Sequence, residues 1–197
     1  DTLWTRTYGG PAMEICNSVA LTADGGYLLA GRRWLLTAND QVWLVKADST
    51  GEELWAKYYG GSGLYNDEAT CVQPTTDGGF VVVAFTYSFQ QSSQAWILRL
   101  NSDGDTLWTR VYGGDAADGL RAVVVTPNGG YVVCGSAVSY GAGGEDVWLL
   151  GLDSHGDTLW TRTYGGTGNE NAFGMALARD GGYIIAGLTT SFGAGGD

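Results

Sequence analysis

Ten residues are spelled twice in this chain. "DTLWTRTYGG" occupies 1–10 and returns unchanged at 157–166, with close copies "EELWAKYYGG" at 52–61 and "DTLWTRVYGG" at 105–114. The Leu-Trp pairs are therefore spaced by 51, 53 and 52 residues. A second mark recurs with them, as "DGGY" at 24, "DGGF" at 77, "NGGY" at 128 and "DGGY" at 180. A third reads "VWLVKADSTG" from 42, "AWILRLNSDG" from 95 and "VWLLGLDSHG" from 147, and occurs only three times. A period near fifty restricts the chain to folds in which one small unit is copied, each copy burying its apolar face against its neighbours.

Each period divides into four short apolar stretches. In the third these are "LRAVVVT" (120–126), "YVVCGSAV" (131–138), "VWLLGL" (147–152) and "DTLWTRTY" (157–164), separated by Pro-Asn-Gly-Gly, a Gly-rich loop and Asp-Ser-His-Gly. Stretches of this length, rich in Val, Ile, Tyr and Trp and bounded by Gly, Asp and Asn, predict strands and hairpins. Asp-Gly-Gly suits a tight turn needing positive φ. Four antiparallel strands per period, repeated around an axis, predict an all-β protein, a β-propeller of four-stranded blades with repeats at about 1–51, 52–104, 105–156 and 157–197. With strands lettered A to D from the axis outward, B is apolar at nearly every position, as a strand covered on both faces should be. In D, Trp4, Arg6 and Tyr8 alternate with Leu3, Thr5 and Thr7, as in a half-solvated outer strand.

Composition narrows the function classes. With 21 acidic and 10 basic residues the net charge is -11, which repels phosphate backbones and anionic membranes, so no nucleic-acid partner is expected. No apolar run approaches a membrane span, so no membrane insertion is expected, and no signal segment opens the chain, which reads as mature or excerpted. Three dispersed Cys (Cys16, Cys71, Cys134) and a single His155 offer neither a disulfide framework nor a zinc site, and no cofactor is expected. The Cys read as small buried hydrophobes and His155 as an exposed turn residue.

At these marks the chain resembles a class of bacterial propeller repeats with the signatures "DGGY-(I/V)-x-AG", "D-x-W-L-x-K-L-D-x-x-G" and "W-x-x-x-Y-G-G". The resemblance spans all four periods. It implies a non-catalytic module, extracellular or on the bacterial cell surface. "NSDGDTLW" and "DSHGDTLW" are similar to the Asp-box hairpin of sialidase-type propellers. "ADSTGEELW" is similar to the tryptophan motif of quinoprotein propellers, but one residue short, and the chain has no vicinal Cys pair.

Comparing the periods with one another picks out candidate positions. Glu14, Asp67, Asp118 and Glu170 stand ten residues before each "DGG" turn, and Arg6, Lys57, Arg110 and Arg162 two residues after each outer Trp. The acids are expected to cap backbone amides or to pair with those bases between blades. A ring of the four carboxylates binding a cation is the sharper alternative. Asp48, Asn101 and Asp153 predict Asx-turn hairpins. The A-to-B and C-to-D turns are nearly uniform, whereas the D-to-A and B-to-C loops diverge, and divergent loops are where recognition is placed. Trp34, Tyr65, Tyr87, Phe89, Tyr140 and Phe192 fall on that variable face, and Arg121 is an odd charge in strand A where the other periods have Asn17, Thr70 and Phe173. Aromatic residues there suit sugar stacking or a protein anchor, or packing over blade edges.

The reading that follows is a binding or structural module that recognises a glycan or a protein. A sialidase-like or other glycoside hydrolase is the alternative, and a spacer or self-assembly element a third. Strand counting predicts fifteen strands: four D, four A, four B and three C. That count fits a four-bladed ring, part of a seven- or eight-bladed one in a longer chain, or half-propellers pairing as a homodimer.

Overall fold

The computed structural model describes residues 2–34, 40–60, 66–89 and 92–192. Those residues form fourteen strands and no helix: β1 (Met13–Leu21), β2 (Tyr27–Trp34), β3 (Gln41–Ala47), β4 (Glu53–Tyr59), β5 (Asp67–Pro74), β6 (Phe80–Thr86), β7 (Gln94–Leu100), β8 (Thr106–Tyr112), β9 (Asp118–Val125), β10 (Tyr131–Ala137), β11 (Asp146–Leu152), β12 (Thr158–Tyr164), β13 (Glu170–Leu177) and β14 (Tyr183–Thr189). Every pairing is an antiparallel meander, giving sheets β1–β4, β5–β8, β9–β12 and the two-stranded β13–β14, here called sheets I to IV.

The turns explain why the strands end where they do. Gly25, Gly78, Gly129 and Gly181 all lie near φ +82 to +85, a conformation that a Cβ penalises, and each closes its hairpin through a backbone bond such as Gly25 N to Thr22 O, 2.9 Å. At the opposite hairpin Asp48 Oδ1 accepts from the amides of Thr50 and Glu52 at 2.8 and 3.0 Å, Asn101 Oδ1 from Asp103 and Asp105, and Asp153 Oδ1 from His155 and Asp157. These are the Asx turns expected of that spacing.

The innermost strand of each sheet carries a β-bulge. Pairing skips Asn17 in β1, Thr70 in β5, Arg121 in β9 and Phe173 in β13, so an extra residue in the same place is turned out of each ladder. The partner strand opposite is pressed close: a Cβ on Gly31 would meet Ile15 O, and one on Gly135 would meet Gly119 O, which explains the small residue closing "LLAG" and "VVCG".

The sheets stack in chain order, β5 on β1–β3, β9 on β5–β7 and β13 on β9–β11. Leu28, Val42, Leu44, Val72, Val82 and Trp96 fill the core between sheets I and II, and Val81, Val83, Ile97, Leu120, Val123 and Leu150 that between II and III. The third core is smaller, with Ala122, Cys134, Leu149 and Ala172 buried and Met175 and Ile185 packed against it. Each fully buried Val, Leu or Ile stabilises by roughly 1.5–3 kcal/mol, so the two inner interfaces dominate the fold.

Two expectations change. Residues 2–10 form no strand, so fourteen strands stand where fifteen were counted: an outer strand forms only against a C strand, and this segment has none beside it. Cys16 is exposed rather than a buried hydrophobe, because among the described residues no sheet packs on the outer side of β1; Cys71 is half-buried and Cys134 buried.

Candidate functional site

The four bulged residues share one cavity. Asn17, Thr70, Arg121 and Phe173, together with Glu68 and Phe85, line a space of about 410 Å³ bounded by all four inner strands. It adjoins a cleft of about 590 Å³ at the end of the sheets where the divergent loops lie, to which Arg32, Tyr87, Glu145 and Asn171 also contribute. The bulge is the local cause: it takes these side chains out of the in-and-out alternation of a regular strand and aims them inward along the stack.

Arg121 is the centre of the cleft. Its guanidinium carbon lies 5.1 Å from the ring centre of Phe85 and 5.4 Å from that of Phe173, a cation held between two aromatic faces. Its Nε is buried without a hydrogen-bond partner among the described residues. Around it the other polar groups are engaged with one another. Arg32 lies 3.3 Å from Glu68 and 3.5 Å from Asp40, Asn17 Nδ2 donates to Glu68 Oε1 at 2.7 Å, and Asn171 Nδ2 donates to Glu145 Oε2. Burial raises the carboxyl of Asp40, opposed by the Arg32 charge. The cleft thus presents guanidinium groups, carboxylates, amides and aromatic rings in its lining, a set that exchanges hydrogen bonds with hydroxyls and amides and stacks on planar or ring faces.

The acidic column lies at the same end. Asp118 Oδ1 accepts from the amides of Val138 and Ser139, both at 3.0 Å, and Oδ2 from Gly114 at 2.6 Å, clamping the two divergent loops of sheet III together. Glu170 does likewise, with Ser191 and Thr190 on Oε1 and Gly166 on Oε2. Burial alone would raise its carboxyl, but the amides of Gly166 and Ser191 and the hydroxyls of Ser191 and Thr189 outweigh it and hold the pKa at about 2. Asp67 Oδ2 accepts from Ser88 Oγ at 2.8 Å, and Glu14 lies 3.5 Å from Arg33. Among the described residues no three His, Cys, Asp or Glu side chains are grouped so as to hold a metal ion.

The basic column does not pair with that acidic one. Arg6 pairs with Glu52 at 2.5 Å, Lys57 with Asp105 at 2.6 Å and Arg110 with Asp157 at 2.8 Å, each base reaching the acid that opens the next outer strand. Beside it, Tyr8, Tyr59 and Tyr112 donate to the carbonyls of Gly51, Gly104 and Gly156 at 2.8, 2.6 and 2.6 Å. Those glycines lie at φ near +80 directly beneath Trp4, Trp55 and Trp108, where a Cβ would stand 2.8–2.9 Å from the indole. Even without strand hydrogen bonds, residues 4–8 make the contact that β4 and β8 make.

Of the residues singled out from sequence, Arg121, Tyr87 and Asp118 meet in the cleft. Phe89 packs edge-on against Trp96 with ring centres 5.7 Å apart, and Tyr140 lies 5.5 Å from Trp148, so both cap the sheet ends while remaining half exposed. Trp34, at the end of β2, and Phe192, beyond β14, are exposed. Tyr65 lies outside the described residues. His155 is exposed in the C-to-D turn of sheet III. Burial raises the Cys71 thiol and pushes that of Cys134 up to about 12. Arg32, Glu68, Phe85, Glu145, Asn171 and Phe173 were not singled out. The signal for two of them was present: eight residues after each "DGG" aspartate or asparagine stand Arg32, Phe85, Ser136 and Leu188, as unlike one another as the bulge column itself. No protein-family model matches the chain, and no curated protein matches it.

Proposed function

We propose that the four sheets are successive blades of a β-propeller, and that the protein is a non-catalytic, extracellular or cell-surface binding module taking a glycan or protein group into the Arg121 cleft. The observation that carries this reading is the Phe85–Arg121–Phe173 stack beside a cluster of amides and carboxylates. In a chain where most positions repeat, the columns that do not repeat converge there. Of the two ligand classes the glycan is favoured, because a wall that mixes donors, acceptors and ring faces suits hydroxyl-rich rings. The net charge of -11 disfavours phosphate polymers, and no helix among the described residues is long and apolar enough to cross a membrane.

Glycan arrays followed by calorimetry test the reading. Binding should fall by tenfold or more in Arg121→Ala and less in Tyr87→Phe, with Trp34→Ala as an unaffected control. Silence on glycan and protein arrays alike overturns it. So does turnover of fluorogenic glycosides that Asp118→Ala abolishes, which would make the protein a hydrolase.

A further inference from the structure

We propose that the ligand of the cleft is a sugar acid, its carboxylate seated on the edge of the Arg121 guanidinium, and that Arg121 selects it over neutral sugars. This rests on the reading of the cleft as a glycan site and adds the charge that its ligand carries.

The first observation is a fork without an acceptor. Arg32 and Arg121 both line the cleft, and they differ. Arg32 lies 3.3 Å from Glu68 and 3.5 Å from Asp40. Arg121 is half-buried, makes no hydrogen bond or ion pair among the described residues, and has its Nε buried. The carboxylates of the lining do not reach it, because each is engaged elsewhere: Glu68 with Arg32 and Asn17, Glu145 with Asn171, and Asp118 with the amides of Gly114, Val138 and Ser139. Charges removed from water are ordinarily paired and hydrogen-bonded. What Arg121 lacks is an acceptor of opposite charge.

The second observation is which part of the guanidinium is open. Phe85 and Phe173 lie over it, with ring centres 5.1 and 5.4 Å from the guanidinium carbon. The rings occupy its faces, whereas all five of its N–H donors lie in its plane. A carboxylate meets such an edge with two parallel hydrogen bonds and an opposite charge, where a hydroxyl makes one bond and brings no charge. Rings over the faces also keep water from them, which strengthens whatever pair forms at the edge.

The third observation is what surrounds the fork. Tyr87, Ser93, Ser136 and Asn171 line the same cleft of about 590 Å³. Hydroxyls and an amide beside aromatic rings suit the hydroxyls and the apolar face of a pyranose, so the carboxylate is carried on a sugar. The net charge of -11 sets a limit on that ligand. A dense polyanion is repelled as a whole, whereas the repulsion felt by one carboxylate is screened beyond about 8 Å at physiological salt. The glycan therefore bears an isolated acid residue.

Calorimetry on the 197-residue chain tests the proposal with a panel of oligosaccharides that each carry one uronic acid, beside their carboxyl-reduced counterparts, in which the same ring bears a hydroxymethyl group. The acid should bind roughly thirtyfold or more tightly than its reduced counterpart, as a charged bidentate pair replaces a single neutral bond. Arg121→Gln should abolish the difference between the two sugars, and Arg121→Lys, which keeps the charge but not the fork, should restore only part of it. Circular dichroism checks that both variants fold, and the comparison of the two sugars on the unaltered protein decides the point even where they do not. Equal affinity for acid and reduced forms overturns the selection by charge and leaves the glycan reading standing. A difference that persists in Arg121→Gln overturns the assignment to Arg121. Binding of acidic peptides and of no sugar overturns the sugar acid, and binding of neither sugars nor peptides overturns the glycan reading with it.

Discussion

Strands β6 and β14 are written in nearly the same letters, "FVVVAFT" and "YIIAGLT", yet β6 is buried along almost its whole length and β14 is exposed along most of its own. The difference comes from the neighbours. Among the described residues sheet II has a sheet on each side, whereas sheet IV has one. Apolar patterning therefore states what a strand is able to bury, while the stack decides whether it does, and the same residue type contributes kilocalories in one sheet and almost nothing in the other.

The sharpest way to break this comparison is to place the same charge at equivalent positions. Val81→Asp buries an unpaired carboxylate and should cost more than about 4 kcal/mol, enough to unfold a domain of ordinary stability. Ile184→Asp should stay within about 1 kcal/mol of the parent. Urea unfolding followed by circular dichroism measures both, and comparable losses would mean that sheet IV is covered in solution by its own chain.

Next in size are the turn glycines. Gly156→Ala forces a Cβ into positive φ and against Trp108, and should cost about 2–3 kcal/mol. Gly181→Ala meets the same φ with nothing within 4 Å, and should cost only about 1 kcal/mol. Melting temperatures of the two variants separate strain from steric conflict. Smaller again is the hydroxyl of Tyr112, whose bond to Gly156 O should be worth about 1 kcal/mol, against no measurable loss for its equivalent in Tyr164→Phe. The ion pairs beside it are solvent-exposed and contribute less, on the order of 0.2–1 kcal/mol each.

A separate effect is the pH dependence that Glu170 contributes in sheet IV. The carboxyl of Glu170 is held at about 2 in the fold against an ordinary value of 4.5. Its contribution is fully present above the unfolded value and is lost as pH falls from about 4.5 toward 2. Melting curves across that window should show Glu170→Gln losing less stability on acidification than the parent. Equal slopes would assign the acid sensitivity to other carboxylates.

Much of the fold is legible in the sequence. Turn residues at fixed offsets located the strands, because Gly at positive φ and Asx caps are local requirements that each repeat meets by itself. The Leu-Trp motif reads as an outer strand, which three of its four copies form, but its seat is not legible, since the glycine and the acid that receive it lie 43 to 48 residues away. The acidic and basic columns are both legible as columns in the sequence. Asp118 and Glu170 cap backbone amides, the first of the two roles expected of the acids, whereas the partners of the bases were not legible, because each base reaches the acid that opens the next outer strand. The cleft was half visible: Arg121 stood out as a charge among Asn17, Thr70 and Phe173, but nothing in the letters announces a bulge.

By itself the sequence determined the repeat, the strands other than the one expected at residues 2–10, their turns and the order in which they pair, because each of these is set by contacts within about fifty residues. Only the tertiary structure decided which apolar strands are buried, which charges meet, and that four bulges aim four unlike side chains into one cavity. Those outcomes depend on what a neighbouring sheet places opposite each residue, and a pattern that is the same in every repeat carries no record of which copies have neighbours.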